Sequence, residues 1–299
     1  MTKDILRRFI LDNANIRGEW VHLDDSWQEL LERSDYPPVI RNVLGEALSA
    51  IVLLSATVKH QGSMILQIRG DGPVHLLVVQ ATPQGTVRGL ARWGSVPEGI
   101  SLPEIFGSGH IAITMDAASN GERYQGIIAL EGNNLTEALE QYFQRSEQLP
   151  TRLWLSANHH SSAGLLLQRL PDASQNTPEQ KTESSEDWTR VSMLLDTLTA
   201  DELHDLPPEE LVYRLFHEEE PRLFAPKPIS FHCGCGVQRV EAMLQSMGQT
   251  ETDSILAEHG SIEVTCEFCN AQYSLDRVDV ARLFAGSISP ADPSTPTIH

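Results

Sequence analysis

Four cysteines are the residues in this chain whose type and spacing point most directly to chemistry: Cys233, Cys235, Cys266 and Cys269. They form two close pairs, Cys233-Gly-Cys235 and Cys266-Glu-Phe-Cys269, separated by the thirty residues 236–265. Two such pairs can each present sulfur from a tight turn while the intervening chain folds back, which is what a tetrahedral metal site requires. Four thiolates select zinc, one Zn2+ per chain. Gly234 and Gly236 free the backbone to wrap closely around an ion. His232 and His259 are spare ligands at most, because four sulfurs already complete the tetrahedron.

Other uses of the cysteines rank lower. A pair of permanent disulfides is disfavoured in a reducing compartment, and C-x-C closes a strained ring. A thioredoxin-like site would open a helix after a βαβ pattern, which Cys266-Glu267-Phe268-Cys269 does not. An inert structural zinc ribbon is the serious competitor. A module of about 60 residues has a marginal core, so zinc binding is effectively its folding energy. Oxidation of the thiolates would therefore unfold it; the residues permit a switch without requiring one.

The elements that position this site follow from periodicity. The first 170 residues predict an α+β domain. Asp4 to Asp12 predicts a strand. Ser26 to Arg33 predicts a helix with Ser26 as N-cap and Glu29 completing a capping box. Pro37-Pro38 opens a long helix from Val39 to His60, apolar enough to be buried on most of its surface. Strands follow over Ser63–Arg69, Val74–Ala81 and Thr86–Trp93, separated by Gly-Asp-Gly-Pro and Pro-Gln-Gly turns. His110–Asp116 and Tyr124–Leu130 pair around Asn120-Gly121. A helix over Thr136–Arg145 and strands over Arg152–Ala157 and Gly164–Leu170 complete the domain. Short helices over Val237–Gln245 and Ser254–His259, and a hairpin of Ile262–Cys266 with Gln272–Leu275, frame the cysteine pairs.

Charge divides the chain further. There are 22 Lys and Arg against 41 Asp and Glu, a net charge of −19. Fourteen of the acids and only five bases lie between Asp172 and Pro228. Pro171 to Glu186 has the composition of a flexible linker. Beyond it, Trp188 to Leu198 and Leu211 to Phe216 predict short amphipathic helices that need a surface to pack on. Two readings are open: a conditionally folded linker, or a helical extension packed on the first domain.

The same composition excludes several function classes. An acidic chain lacks the clustered Lys and Arg that neutralise phosphates or dock on an anionic leaflet. A nucleic-acid-binding zinc ribbon is the alternative function, but Phe231 to Phe284 offers only Arg239, Arg277 and Arg282 against several acids. No GxGxxG, P-loop or GxSxG occurs in the first domain, so no site for a nucleotide phosphate is expected there. A thiol–disulfide enzyme remains the third reading. The N-terminus lacks a secretory h-region, and the apolar run Ala47–Val58 is short for a membrane span; a cytoplasmic location is expected.

The chain also resembles the heat shock protein 33 family, the 33 kDa chaperonins, over nearly its whole length. The carriers are the two cysteine pairs with their thirty-residue gap, Gly45-Glu-Ala-Leu48 leading into Leu53-Leu-Ser-Ala-Thr57, Gln67-Ile-Arg-Gly-Asp-Gly-Pro-Val74, and Arg239-Val-Glu-Ala-Met-Leu244. The resemblance implies a core domain (residues 1–171), an acidic metastable linker (172–230), a zinc-binding redox-switch module (231–287) and a disordered tail (288–299). It implies a non-enzymatic, ATP-independent holdase that is inactive while reduced and zinc-bound. Peroxide or hypochlorous stress with heat would form disulfides Cys233–Cys235 and Cys266–Cys269, expel zinc and unfold the linker. The exposed surface would then hold unfolding client proteins, commonly as a homodimer.

Overall fold

In the computed structural model, residues 4–97, 100–116, 123–147, 149–171 and 178–285 are described, so the tail expected over 288–299 lies outside them. The chain divides after His232 into two compact units. The first runs β1 (Ile5–Leu11), β2 (Ile16–Leu23), α1 (Asp25–Leu31), α2 (Pro38–Thr57), β3 (Met64–Arg69), β4 (Val74–Ala81) and β5 (Thr86–Trp93). It continues through α3 (Leu102–Phe106), β6 (His110–Asp116), β7 (Arg123–Ala129), α4 (Leu135–Tyr142), β8 (Thr151–Ala157) and β9 (Ser162–Arg169). Three helices follow, α5 (Pro178–Leu195), α6 (Ala200–Asp205) and α7 (Pro208–Phe216), then the short strands β10 (Pro221–Leu223), β11 (Lys227–Pro228) and β12 (Ser230–Phe231). The second unit contains α8 (Val237–Met247), α9 (Gln249–His259), β13 (Ile262–Thr265), β14 (Gln272–Leu275) and α10 (Arg277–Ala285).

The α+β class is as expected. One sheet orders its strands β10-β1-β2-β9-β8, with β11 also on β1; the other orders them β12-β5-β4-β3-β6-β7. Helix α2 packs against strands of both, which is why it is apolar almost all round. By length and composition α2 could cross a membrane, at mean hydropathy 1.6, but 67% of that stretch is buried inside the protein. The run Ala47–Val58 covers only part of this 20-residue helix; within it Ser49 and Thr57 hydrogen-bond inside the protein, to the Ser162 hydroxyl and the Leu54 carbonyl. Gly45 lets α2 approach its neighbours: a Cβ there would lie 2.5 Å from that of Ala157.

Two expectations about the first domain need correction. Ser26 is not the N-cap of α1, which begins at Asp25 after Asp24. Ser26 is buried, and its backbone N–H and hydroxyl both donate to the Asp4 carboxylate, as does the Asp24 N–H. An acid just before β1 thus satisfies donors that Ser26 and Glu29 were expected to satisfy locally. Strand β2 was not anticipated at all, although it pairs along its length with both β1 and β9. Its Arg17, Glu19 and His22 hide the apolar alternation by which strands are recognised. Residues 178–186, predicted as flexible linker, belong to α5; residues 172–177 lie outside the described set.

Helices α5–α7 cover the face of the first sheet opposite α2. Val191, Leu195, Leu203, Leu211, Val212 and Phe216 bury themselves against Phe9, Leu11, Ile16, Trp20, Leu165 and Leu167. Of the two readings left open by composition, the packed extension describes this state. Phe9 and Phe216 stack with centroids 6.0 Å apart. Polar latches supplement the apolar contact. Arg190 pairs with the buried Glu219, and both ring nitrogens of His204 bond hydroxyls, Nδ1 to Ser161 at 2.7 Å and Nε2 to Ser156 at 3.0 Å.

Burial, with the neighbouring His22, lowers the pKa of His204, although Asp201 and Asp205 pull it upward. A base whose folded pKa is depressed stabilises the folded state while neutral, and that contribution is lost as pH falls below the unfolded value of about 6.5. Acidification from pH 7.5 to 5.5 is therefore expected to lower the amide protection factors of residues 200–216 selectively, measured against the intrinsic exchange rate at each pH. His204→Gln should flatten that dependence. Unchanged protection factors in the native chain would contradict the latch.

Candidate metal centre

The cysteine cluster is built wholly within the second unit. Cys233 and Cys235 lie in the turn that runs into α8, with Gly234 at φ +65° in the left-handed region that favours glycine. Cys235 sits two residues before α8, where the helix N-terminus favours a thiolate. The second pair occupies the turn between β13 and β14. There the Cys266 N–H donates to the Ala271 carbonyl and the Asn270 N–H donates to the Cys266 carbonyl, with Asn270 at φ +56°. Register Val264↔Tyr273 and Thr265↔Gln272 closes the hairpin beneath this turn.

These elements bring all four Sγ atoms within 4.8 Å of one another. Cys233 and Cys266 approach to 3.4 Å, and Cys235 and Cys269 to 3.3 Å. A regular tetrahedron with Zn–S of about 2.3 Å has S···S edges of about 3.8 Å. The two short edges lie within about 0.5 Å of that value and no edge exceeds it by more than about 1 Å, so the four sulfurs can close on one zinc ion. The shortest approaches run between the two sequence pairs, as expected when both turns face a common centre. Neither His232 nor His259 belongs to the group of ligand atoms.

Surrounding donors explain how four thiols tolerate this proximity. The Tyr273 hydroxyl donates to Cys235 Sγ at 3.1 Å and is the main cause that brings this thiol down to about 7. The same bond holds the Tyr273 phenol up at about 12. Burial pushes Cys269 up to about 12, opposed by the Ala271 N–H. Burial also raises Cys233, opposed by Cys269 and the Cys235 N–H. Tyr273 escaped the sequence reading because nothing local marks it; only the β13–β14 register brings its hydroxyl to the sulfur. Such partners typically contribute 10–100-fold to metal affinity. Tyr273→Phe should weaken zinc retention about 10-fold in a chelator competition, with an unchanged far-ultraviolet spectrum of the loaded protein. Unaltered competition would deny the hydroxyl this role.

With this geometry in view, comparison with known proteins is decisive. A family model described as Hsp33 protein matches residues 4–276. The chain belongs to the Hsp33 family. The 33 kDa chaperonin of Nitrosococcus oceani is 50% identical over 99% of both chains. That of Hahella chejuensis is 45% identical over the full length of both, and that of Methylobacillus flagellatus 42% identical over 95% of this chain and 96% of its own. The crystal structure of the Thermotoga maritima heat shock protein 33 homologue matches the fold with a TM-score of 0.79 at 20% identity, covering 95% of this chain and 99% of that one. Membership supports a chaperone role, and the cysteine cluster is compatible with zinc binding and redox chemistry.

Proposed function

We propose that this chain is a redox-regulated, ATP-independent holdase of the cytoplasm that is inactive while Cys233, Cys235, Cys266 and Cys269 hold one zinc ion. The convergence of four sulfurs within 4.8 Å, in a unit with little other core, carries this reading. Bound zinc neutralises the thiolates and ties both turns together. The chain's own residues do the rest: the Tyr273 hydroxyl favours the thiolate of Cys235, and the backbone amides of Cys235 and Ala271 oppose the burial that raises Cys233 and Cys269.

Oxidation forms Cys233–Cys235 and Cys266–Cys269. Two peroxides accept four electrons from the four thiolates, and four protons convert their oxygens to four waters. The ligand set is lost, and with it the energy that folds the second unit. Helices α5–α7 then leave the first sheet, and the apolar surface beneath them receives unfolding clients, with oxidised chains pairing as homodimers. Unfolding of α5–α7 would expose Phe9, Ile16, Trp20 and Leu165, a contiguous apolar surface of the kind that captures non-native chains. No nucleic acid, membrane or enzymatic turnover enters this account. The test is aggregation of a thermally unfolded client: zinc-loaded protein treated with peroxide at elevated temperature should suppress it, and the reduced form should not. Equal suppression by both forms would refute the switch.

A further inference from the structure

The described methionines divide by place. Met64 is 3% exposed in the core of the first unit, and Met115 packs partly buried against that core. Met193, Met243 and Met247 are exposed. The last two, at 42% and 43% exposed, stand one helical turn apart on α8, in the unit that carries the cysteines.

Met243 and Met247 line a groove of about 530 Å³ with Leu244, Ile255, Ile262 and Val264, and polar residues near the α9–β13 connection complete the lining. The groove is an outer wall of the unit's small core: Leu244 and Ile262 belong to that core, and Ile255 and Val264 pack against it. The two thioethers are therefore open enough for an oxidant to reach, while more than half of each side chain is covered. Neither is a metal ligand, since the clustered sulfurs all belong to cysteines.

A thioether is apolar and adaptable, whereas its sulfoxide is polar and chiral. In a half-covered position the new oxygen must either sit against apolar walls without a hydrogen bond or carry the side chain out into water. Both outcomes cost the unit apolar burial. The first unit has two large clusters to absorb such a loss; the second has one small one.

We propose that Met243 and Met247 form an oxidant-modification site: hypochlorous acid converts both to sulfoxides, which loosens α8 and weakens the hold of the second unit on zinc while all four cysteines stay intact. In each step the sulfur gains one oxygen and loses two electrons, chlorine leaves as chloride, and the proton passes to water. The inference rests on the reading that the four sulfurs hold zinc. It adds an input with its own repair, because methionine sulfoxide is reversed by dedicated reductases rather than by dithiols.

The test uses the full-length, zinc-loaded chain, treated with hypochlorous acid, reduced with dithiothreitol and reloaded with zinc, its four free thiols confirmed by titration. Peptide mass mapping should find one added oxygen on each of Met243 and Met247 and none on Met64. In chelator competition the treated chain should give up zinc about 10-fold more readily than the untreated one. Hydrogen exchange over α8 and α9 should quicken in parallel, and methionine sulfoxide reductases should restore both. The double variant Met243→Leu with Met247→Leu conserves volume and should be unmoved by the treatment, although it retains Met193. Both sulfoxides formed with zinc retention and exchange unaltered, no oxygen taken up by either methionine, or equal zinc loss in the leucine variant would each overturn the proposal. Repair on the native chain decides the matter even if that variant folds poorly. A chain that binds no zinc before treatment would overturn the metal reading and this one together; one zinc before treatment with unaltered retention after it would overturn this one alone.

Discussion

Removing zinc from the reduced protein with a strong chelator is expected to unfold residues 233–285 and leave the first unit folded. The second unit buries only Val240, Leu244, Leu256, Ile262, Leu275 and Val280 as its apolar core among the described residues. Six side chains are a small core for a unit of this size, and folds with so little apolar burial depend on a cross-link or a metal. In small metal-folded modules the free energy of zinc binding is folding free energy. The first unit has two large clusters of its own and no share in the ligand set. Hydrogen exchange should accordingly show protection collapsing over α8–α10 while α2 and β3–β6 stay protected. Cys266→Ala, which removes one ligand outright, should reproduce the pattern without chelator. Retained protection of α8 and α9 in the metal-free chain would show that the module stands on its own core.

The second large effect concerns the helices that cover the first sheet. Phe216 is fully buried and stacks on Phe9, so Phe216→Ala opens a cavity at the centre of the contact. Such truncations cost about 3–5 kcal/mol. Because α5–α7 are short and carry many acids, the loss falls on their docking rather than on the whole unit. The variant should show fast exchange over residues 188–216 and suppress client aggregation while still reduced and zinc-loaded. A truncation that lowers overall stability yet leaves the reduced form inactive would separate helix docking from client binding.

Much of this architecture was legible because it rests on local signals. The burial of α2 follows from its all-round apolarity, and the β3–β4–β5 meander from its Gly-Asp-Gly-Pro and Pro-Gln-Gly turns. The cysteine pairs declare a metal centre by spacing alone. What escaped depends on long-range partners. Strand β2 holds its Glu19 inside the protein and its Arg17 against Gln168, so its pattern reads as polar until β1 and β9 flank it. Ser26 looks like a cap in sequence, yet Asp4, twenty-two residues earlier, takes its N–H. Strands β10–β12 are two or three residues long and contain Pro221 and Pro228, which no periodicity can reveal. Tyr273 is invisible for the same reason, since only the β13–β14 register brings its hydroxyl to Cys235.

The most direct test of the central claim is a paired count of bound zinc and free thiols in the same samples, before and during peroxide treatment at elevated temperature. The account predicts one zinc and four thiols per chain at the outset, both falling together to none as client protection rises. Client protection that appears while zinc and all four thiols remain in place would contradict it.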